Sequence, residues 1–543
     1  MVLPAMLAGY LFLLIFRPYE FWPILGTLRI ERVYMLAFMA VAFLTPNKRF
    51  ISSPVNYAVA GFCMALLVSG LGAYNGEAAY KLIENYLKFI IFYVMVILSV
   101  RNERDFRFIL FAFIAIMGVY VGKSMWEFFL HDRYVYRMGI KRLVGVDITY
   151  GSPNAFAASI CYSLPLLWAL LRSQLGTKWL RRGLWAYGGM ALVAILFTGS
   201  RSGMVTAILF FLLVLLGSSR KFIGIFVMLA GFVVSWDFMP DYLKERFLST
   251  FGYGDVTGGA VESAEGRMEG FKQGMLLFKE NPLIGFGPAN FPFGWPGEEV
   301  GHNAHNIYGQ LAGELGLAGI LSFGSLLLII YLTTRRIQKR FPKVMHALAL
   351  QAAEDGIVQK ERAHSSAAQS SVSKSSTLSR KYRMKGEPPA SRKDDDTEPE
   401  HDRSREHSVS PKQREYALHD EAADGQRHAP RYRMKGQGQG EQALADDAAT
   451  SEVAGNLRGT AATVTVSKDR RKKRKPLGAP LVAMQHLGLY PLVARAITQT
   501  IILMLFKGWA DHNLYRYSWL WLAALTILTA HFFTQEVRRY ARS

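Results

Sequence analysis

Apolar runs of about 20 residues recur along this chain, and they limit its possible folds more than any other feature. A helix rises about 1.5 Å per residue, so about 20 apolar residues cross a hydrocarbon core of about 30 Å. Such runs fill most of the first 334 residues and return after residue 480. In lipid every backbone polar group needs an internal partner, so these runs fold as helices. The expectation is an all-α, polytopic helical membrane protein with about twelve spans and one large outer loop. The spans centre near residues 9, 39, 64, 92, 116, 163, 191, 210, 230, 320, 494 and 525. The first two are short, which allows a count of ten to twelve. The run at 2–16 follows no Lys or Arg and ends at no convincing small-residue cleavage site, so it reads as a retained first helix rather than a signal peptide.

Orientation follows from the loops that carry Lys and Arg, because such loops stay cytoplasmic. Loops 46–54 (Lys48, Arg49), 101–107 (Arg101, Arg104, Arg107), 172–183 (Arg172, Lys178, Arg181, Arg182) and 218–221 (Arg220, Lys221) fall on one side, with the final Arg538, Arg539 and Arg542. The loop of residues 240–305 is then outside the cytoplasmic membrane. Residues 131–152 break the rule, carrying Arg133, Arg137, Lys141 and Arg142 on the outer side. Either a span is misplaced or this loop binds something anionic.

The formal net charge of +21 invites a nucleic-acid reading, which its location argues against. Residues 335–476 hold 30 Lys or Arg against 20 Asp or Glu, about half of the excess, and the rest is mainly topology. Residues 343–476 lack Phe and Trp and contain tracts such as SSAAQSSVSKSS, so they are expected to form a disordered basic cytoplasmic insert. The expected organisation is a membrane domain at 1–334, this insert at 335–480, and two last spans at 481–543. Within the insert YRMKG occurs at 382–386 and 432–436, as a local duplication or a docking motif. The run RRKKRK at 470–475 fits a positive-inside anchor beside anionic lipid. The only two cysteines, Cys63 and Cys161, lie in apolar runs, which leaves no disulfide framework or cysteine metal site to expect.

Candidate chemistry concentrates in the outer segments. Residues 301–319, GHNAHNIYGQLAGELGLAG, place His302 and His305 at the mouth of a span, where ionisable groups are costly without a role. An imidazole, with an ordinary pKa near 6.5, can accept a proton from an attacking hydroxyl at physiological pH. A capping or interfacial histidine would fit the same position. Gly309, Gly313 and Gly316 follow on the helix, small residues that let a neighbour approach closely. Upstream, NPLIGFGPANF at 281–291 is dense in Gly and Pro and marks specified turns. Arg201, in the tight hairpin TGSRSG at 198–203, either snorkels to the interface or grips an anion with its planar fork. With Arg267, Arg142 and Lys141 on the same face, it could meet a diphosphate and compensate leaving-group charge. The outer loops show no D-x-D pair, and no metal or other cofactor is implied. Glu262, Glu265 and Glu269 read as ion-pair or capping groups around Arg267.

These residues resemble the bacterial O-antigen ligase superfamily, which also holds polysaccharide polymerases and protein O-oligosaccharyltransferases. The ligase pattern is His, then Asn, Ser or Gln, nine residues, Gly, two residues, Gly. Here it reads His305, Asn306, Ile307 to Leu315, Gly316, Leu317, Ala318, Gly319, with no gap. The TGSRSG turn, the Arg267 segment and a P-x-x-G-x-G element at Pro282, Gly285 and Gly287 follow the family in order and spacing. The resemblance covers roughly residues 1–335, with the last two spans as a remainder. Two departures are Val205, where ligases often have Leu, and Ser152 before Pro153 and Asn154, where relatives often have Asp.

The resemblance implies a multi-helix, GT-C-like fold in a bacterial inner membrane, with an active site facing the periplasm. It implies an undecaprenyl-diphosphate-linked glycan as donor and a hydroxyl of a lipid A core, glycan or protein as acceptor. His305 is implied to activate or orient that hydroxyl, and Arg201 and Arg267 to bind diphosphate. Arg142, His302 and Asn306 stand as weaker substrate contacts, and membrane lipids as surroundings. A lipid-linked sugar flippase is the competing class, but transporters bury charge near the midplane and often repeat in halves. Here the candidate charges lie at span ends and the membrane part shows no internal repeat.

Overall fold

The computed structural model describes residues 2–46, 50–137, 140–173, 175–218, 221–222, 224–226, 236, 241–248, 259–297, 300–383, 479–511 and 513–541. The span expected near residue 230, Lys48, Arg49, Arg220, most of both YRMKG copies and the 470–475 run lie outside the described residues.

The described chain is helical apart from one hairpin. In order the main elements are α1 (Val2–Ile15), α2 (Ile30–Leu44), α3 (Pro54–Leu71), α4 (Gly76–Ser99), α5 (Glu103–Leu130), β1 (Tyr134–Arg137), β2 (Ile140–Leu143), α6 (Pro153–Ser173), α7 (Lys178–Phe197) and α8 (Arg201–Leu216). Then come α9 (Asp241–Leu248), α10 (Gly259–Glu280), α11 (Ile307–Arg383), α12 (Ala479–Gly508) and α13 (Tyr517–Ala541). Among the described residues nine helices are long and apolar enough to cross a membrane, and α8 is a shorter apolar helix. Together they match ten of the twelve expected spans; the run near residue 39 forms the 15-residue α2, and the span near residue 230 lies outside the described residues. The protein is an all-α polytopic membrane protein.

Local sequence sets the helix starts. Ser53, Asn75, Asn102, Thr177 and Ser200 each occupy an N-cap and accept a bond from a first-turn amide. Such caps satisfy donors that a helix start leaves orphaned. At the centre lies α6, buried along most of its length and packed most extensively against α12. The last two helices are thus part of the core: α13 packs on α4 and α12, and α12 also meets α8.

Two compact units are distinguished, residues 1–360 with 476–543, and residues 361–475. The disorder expected over the insert differs from the structure at its start, because α11 continues to Arg383. Residues 344–363 hold five Ala with Leu, Gln and Glu, whose intrinsic preference sustains a helix, and Val344 and Leu348 pack against the core. Residues 384–478 lie outside the described residues.

Loops 72–75, 131–152, 198–200, 281–306 and 509–516 meet at one end of the bundle. Tyr74 N donates to Phe286 O (3.0 Å), Arg142 Nε to Thr198 O (2.7 Å), and Asn306 Nδ2 to Trp509 O (3.4 Å). The basic 131–152 loop therefore belongs at this end, and no span is misplaced around it. Arg142 is buried within it, while Lys141 stays exposed. Arg133 donates to Val146 O at 2.7 Å, and Lys141 lies 3.5 Å from Asp132 and over the Tyr134 ring.

Candidate functional site

His305 immediately precedes α11, on a backbone with φ 45°. Histidine is among the non-glycine residues enriched in this left-handed region, yet such a conformation still costs about 1–3 kcal/mol. Both flanks hold it there. Asn306 is fully buried as the N-cap of α11, its Oδ1 accepting from Tyr308 N (2.9 Å) and Gly309 N (3.1 Å). Ala304 is buried, and its carbonyl lies where a side chain on Gly270 of α10 would go. The His305 side chain is left exposed. His302 is exposed too, and its carbonyl accepts the Trp295 indole N–H at 2.7 Å.

The glycines after His305 do two different jobs. Gly309 and Gly313 meet Gly270 and Gly274 of α10 backbone to backbone: a methyl on Gly309 would lie 2.7 Å from Gly270 O. Small residues alone permit so close an approach. Arg267 lies one turn before Gly270 on α10, half-buried, so this contact sets it beside the residue 304–306 segment. Gly316 instead breaks α11, with φ 59° and ψ −152°. At the break the P-x-x-G-x-G element pairs with the helix as a strand would: Phe286 N donates to Gly313 O, Gly287 N to Glu314 O, Leu317 N to Pro282 O and Ala318 N to Leu283 O. Glu314, 1 % exposed, fastens the junction by accepting from Tyr515 Oη at 2.6 Å and Phe291 N at 3.4 Å.

Arg201 is the first residue of α8, half-buried, with Ser200 as cap. Beneath its hairpin lies Arg142, 4 % exposed, donating to Thr198 O and, at 3.0 Å, to Asn154 Oδ1. Arg142 thus ties β2, the hairpin and the start of α6 together, and the Asn of Ser152-Pro153-Asn154 serves as its acceptor. The Arg201 charge acts on Arg267: burial lowers the Arg267 pKa, Arg201 lowers it further, and Asp511 opposes both.

The segment Lys507 to Arg516 completes the cluster, and sequence reasoning overlooked it. Lys507 Nζ donates to Ser202 Oγ at 2.8 Å. Asp511 pairs with Arg516 at 3.5 Å. Arg516 and Arg17 lie over the Tyr150 ring, 5.1 and 5.3 Å from its centroid. Gly508 leaves no room for a side chain against Ile307, and the Trp509 ring meets Phe271 of α10 and Tyr308 of α11. The only signal in the sequence was KGWADHNLYR, a knot of charges where an apolar run ends.

Arg201, Arg267 and Lys507 therefore gather near the first turns of α8 and α11, with Arg516 paired to Asp511 in the same segment as Lys507. Helix N-termini add partial positive charge. This arrangement suits an anionic group with several oxygens. Among the described residues no three His, Cys, Asp or Glu side chains gather as metal ligands would. Glu265 and Glu269 are exposed on α10.

Residues 186–324 match the family model described as O-antigen ligase. This segment is similar to the O-antigen ligase superfamily, and the match supports membership of it. The match runs from α7 through the Gly316 break, so it contains Arg201, Arg267, Pro282, Gly285, Gly287, His302, His305 and Asn306. It excludes Arg142 and the Lys507–Arg516 segment. No curated protein matches the chain. The match suggests a ligase or glycosyltransferase-type enzyme in a membrane protein with many spans.

Proposed function

We propose that the protein transfers a saccharide from undecaprenyl diphosphate to a hydroxyl of an acceptor, as an O-antigen ligase does with a lipid A core. The observation that carries this reading is an exposed histidine on a strained, doubly anchored backbone beside a cationic cluster, inside the segment that matches the family. In the reaction the acceptor oxygen attacks the anomeric carbon and the bond from that carbon to phosphate oxygen breaks. His305 takes the hydroxyl proton, and lipid diphosphate leaves with inversion of the sugar carbon. Arg201 and Arg267 meet the charge that grows on the leaving oxygen. His302 and the Trp295 indole border the acceptor side, while Arg142 and Asn306 act by holding the two helix starts.

The orientation is part of the proposal. Described basic loops at 101–107, 172–183 and the last turn of α13 lie at the end opposite the site, which supports a cytoplasmic location for them and a periplasmic site in the inner membrane. Clustering of charge at one end of the bundle also favours a surface reaction over a flippase. A polymerase extending a glycan and a protein O-oligosaccharyltransferase share the same chemistry with other acceptors.

The test is transfer by purified protein in lipid discs, with a lipid-diphosphate glycan and lipid A core, glycan or peptide acceptors. Expected products are glycosylated acceptor and lipid diphosphate in equal amounts. Movement of intact donor across a vesicle bilayer without cleavage would overturn the reading in favour of transport.

A further inference from the structure

Lys507 closes α12 and is 1 % exposed, yet the proposed reaction gives it no part. A buried ammonium is costly unless anions or several acceptors surround it. Its acceptor here is a neutral hydroxyl, Ser202 Oγ. The one carboxylate of the Lys507–Arg516 segment, Asp511, is already paired with Arg516 at 3.5 Å. The C-terminal end of a helix favours a cation, which accounts for a lysine there but not for its burial. The ammonium stands in a positive excess, one residue from Arg201 through its bond to Ser202.

We infer that Lys507 is a positioning residue for the donor's diphosphate: through Ser202 it fixes the first turn of α8, and hence Arg201, and it adds its charge to that of Arg201 and Arg267. This rests on the diphosphate reading of the site. The family match stops at residue 324, so the assignment comes from the packing of α12 against α8.

The opposite signs of two effects provide the test. Full-length protein in lipid discs is melted alone and with farnesyl diphosphate or inorganic pyrophosphate, a lipid-linked and a free source of the same group. Lys507→Met keeps length and apolar volume, so the melting temperature without ligand holds or rises. Affinity for both probes weakens about ten-fold, the scale of one charged hydrogen bond. The donor KM rises similarly while kcat falls less, and Lys507→Arg retains most of the affinity. Ser202→Ala, which frees the turn but keeps the charge, weakens binding less than Lys507→Met. A lower melting temperature for Lys507→Met with unchanged affinity would overturn the inference, as would a loss confined to the lipid-linked probe. If wild type binds both probes and Lys507→Met binds them equally well, Lys507 is ruled out while the diphosphate site stands. If wild type binds neither, the site reading itself fails.

Discussion

His305 is exposed, and its backbone sits where glycine would be comfortable, so stability and activity should separate there. We expect His305→Gly to melt at or above the wild-type temperature, because glycine relieves the left-handed strain. Its transfer rate should fall about 100-fold or more, the usual loss of a general base. Arg142 should behave in reverse. Arg142→Met breaks buried hydrogen bonds to Thr198 and Asn154 and should cost about 2 kcal/mol or more in chemical denaturation. Whatever activity it loses should track the loss of folded protein. The two roles were not equally legible. The His-Asn spacing in the sequence singled out His305, whereas Arg142 read as a substrate contact, since a sequence cannot show which carbonyl a guanidinium will find. Asn306 carried a readable signal as well: Asn before an apolar run is a cap, and the structure uses it as one.

Helices α10 and α11 approach through glycine, and the sequence showed only half of that contact. Gly309 and Gly313 stood out by their spacing, but Gly270 and Gly274 became meaningful only once α10 lay against them. Gly316 was grouped with the same face, and its real task is the break that lets residues 282–287 pair with the helix backbone. That pairing joins segments far apart in sequence through main-chain atoms, which leave little trace in side-chain pattern. Gly316→Ala should therefore be severe: a methyl there would lie 2.7 Å from Gly285 N, on a backbone unsuited to alanine. We expect a loss of about 2 kcal/mol or more and little folded protein. Gly274→Val should separate α10 from α11, and with it Arg267 from His305. Its mark in steady-state kinetics would be a fall in kcat/KM larger than the drop in melting temperature explains.

At the scale of the whole molecule, length and apolarity made the membrane architecture legible, and the charged loops grouped its ends. The importance of α12 and α13 was not legible, because they follow a long polar insert and look like an appendage in sequence. Packing makes them the partners of α6 and α4 and brings Lys507, Asp511 and Arg516 to the site. The insert itself should be dispensable for chemistry: joining residue 383 to 476 by a short flexible linker should leave transfer unchanged in lipid discs. A scaffold function would instead be lost with residues 384–475. The most direct test of the central claim compares wild type with His305→Ala in a single turnover, with donor bound beforehand. We predict donor affinity close to wild type and transfer at least about 100-fold slower. Transfer by His305→Ala at the wild-type rate would contradict the account.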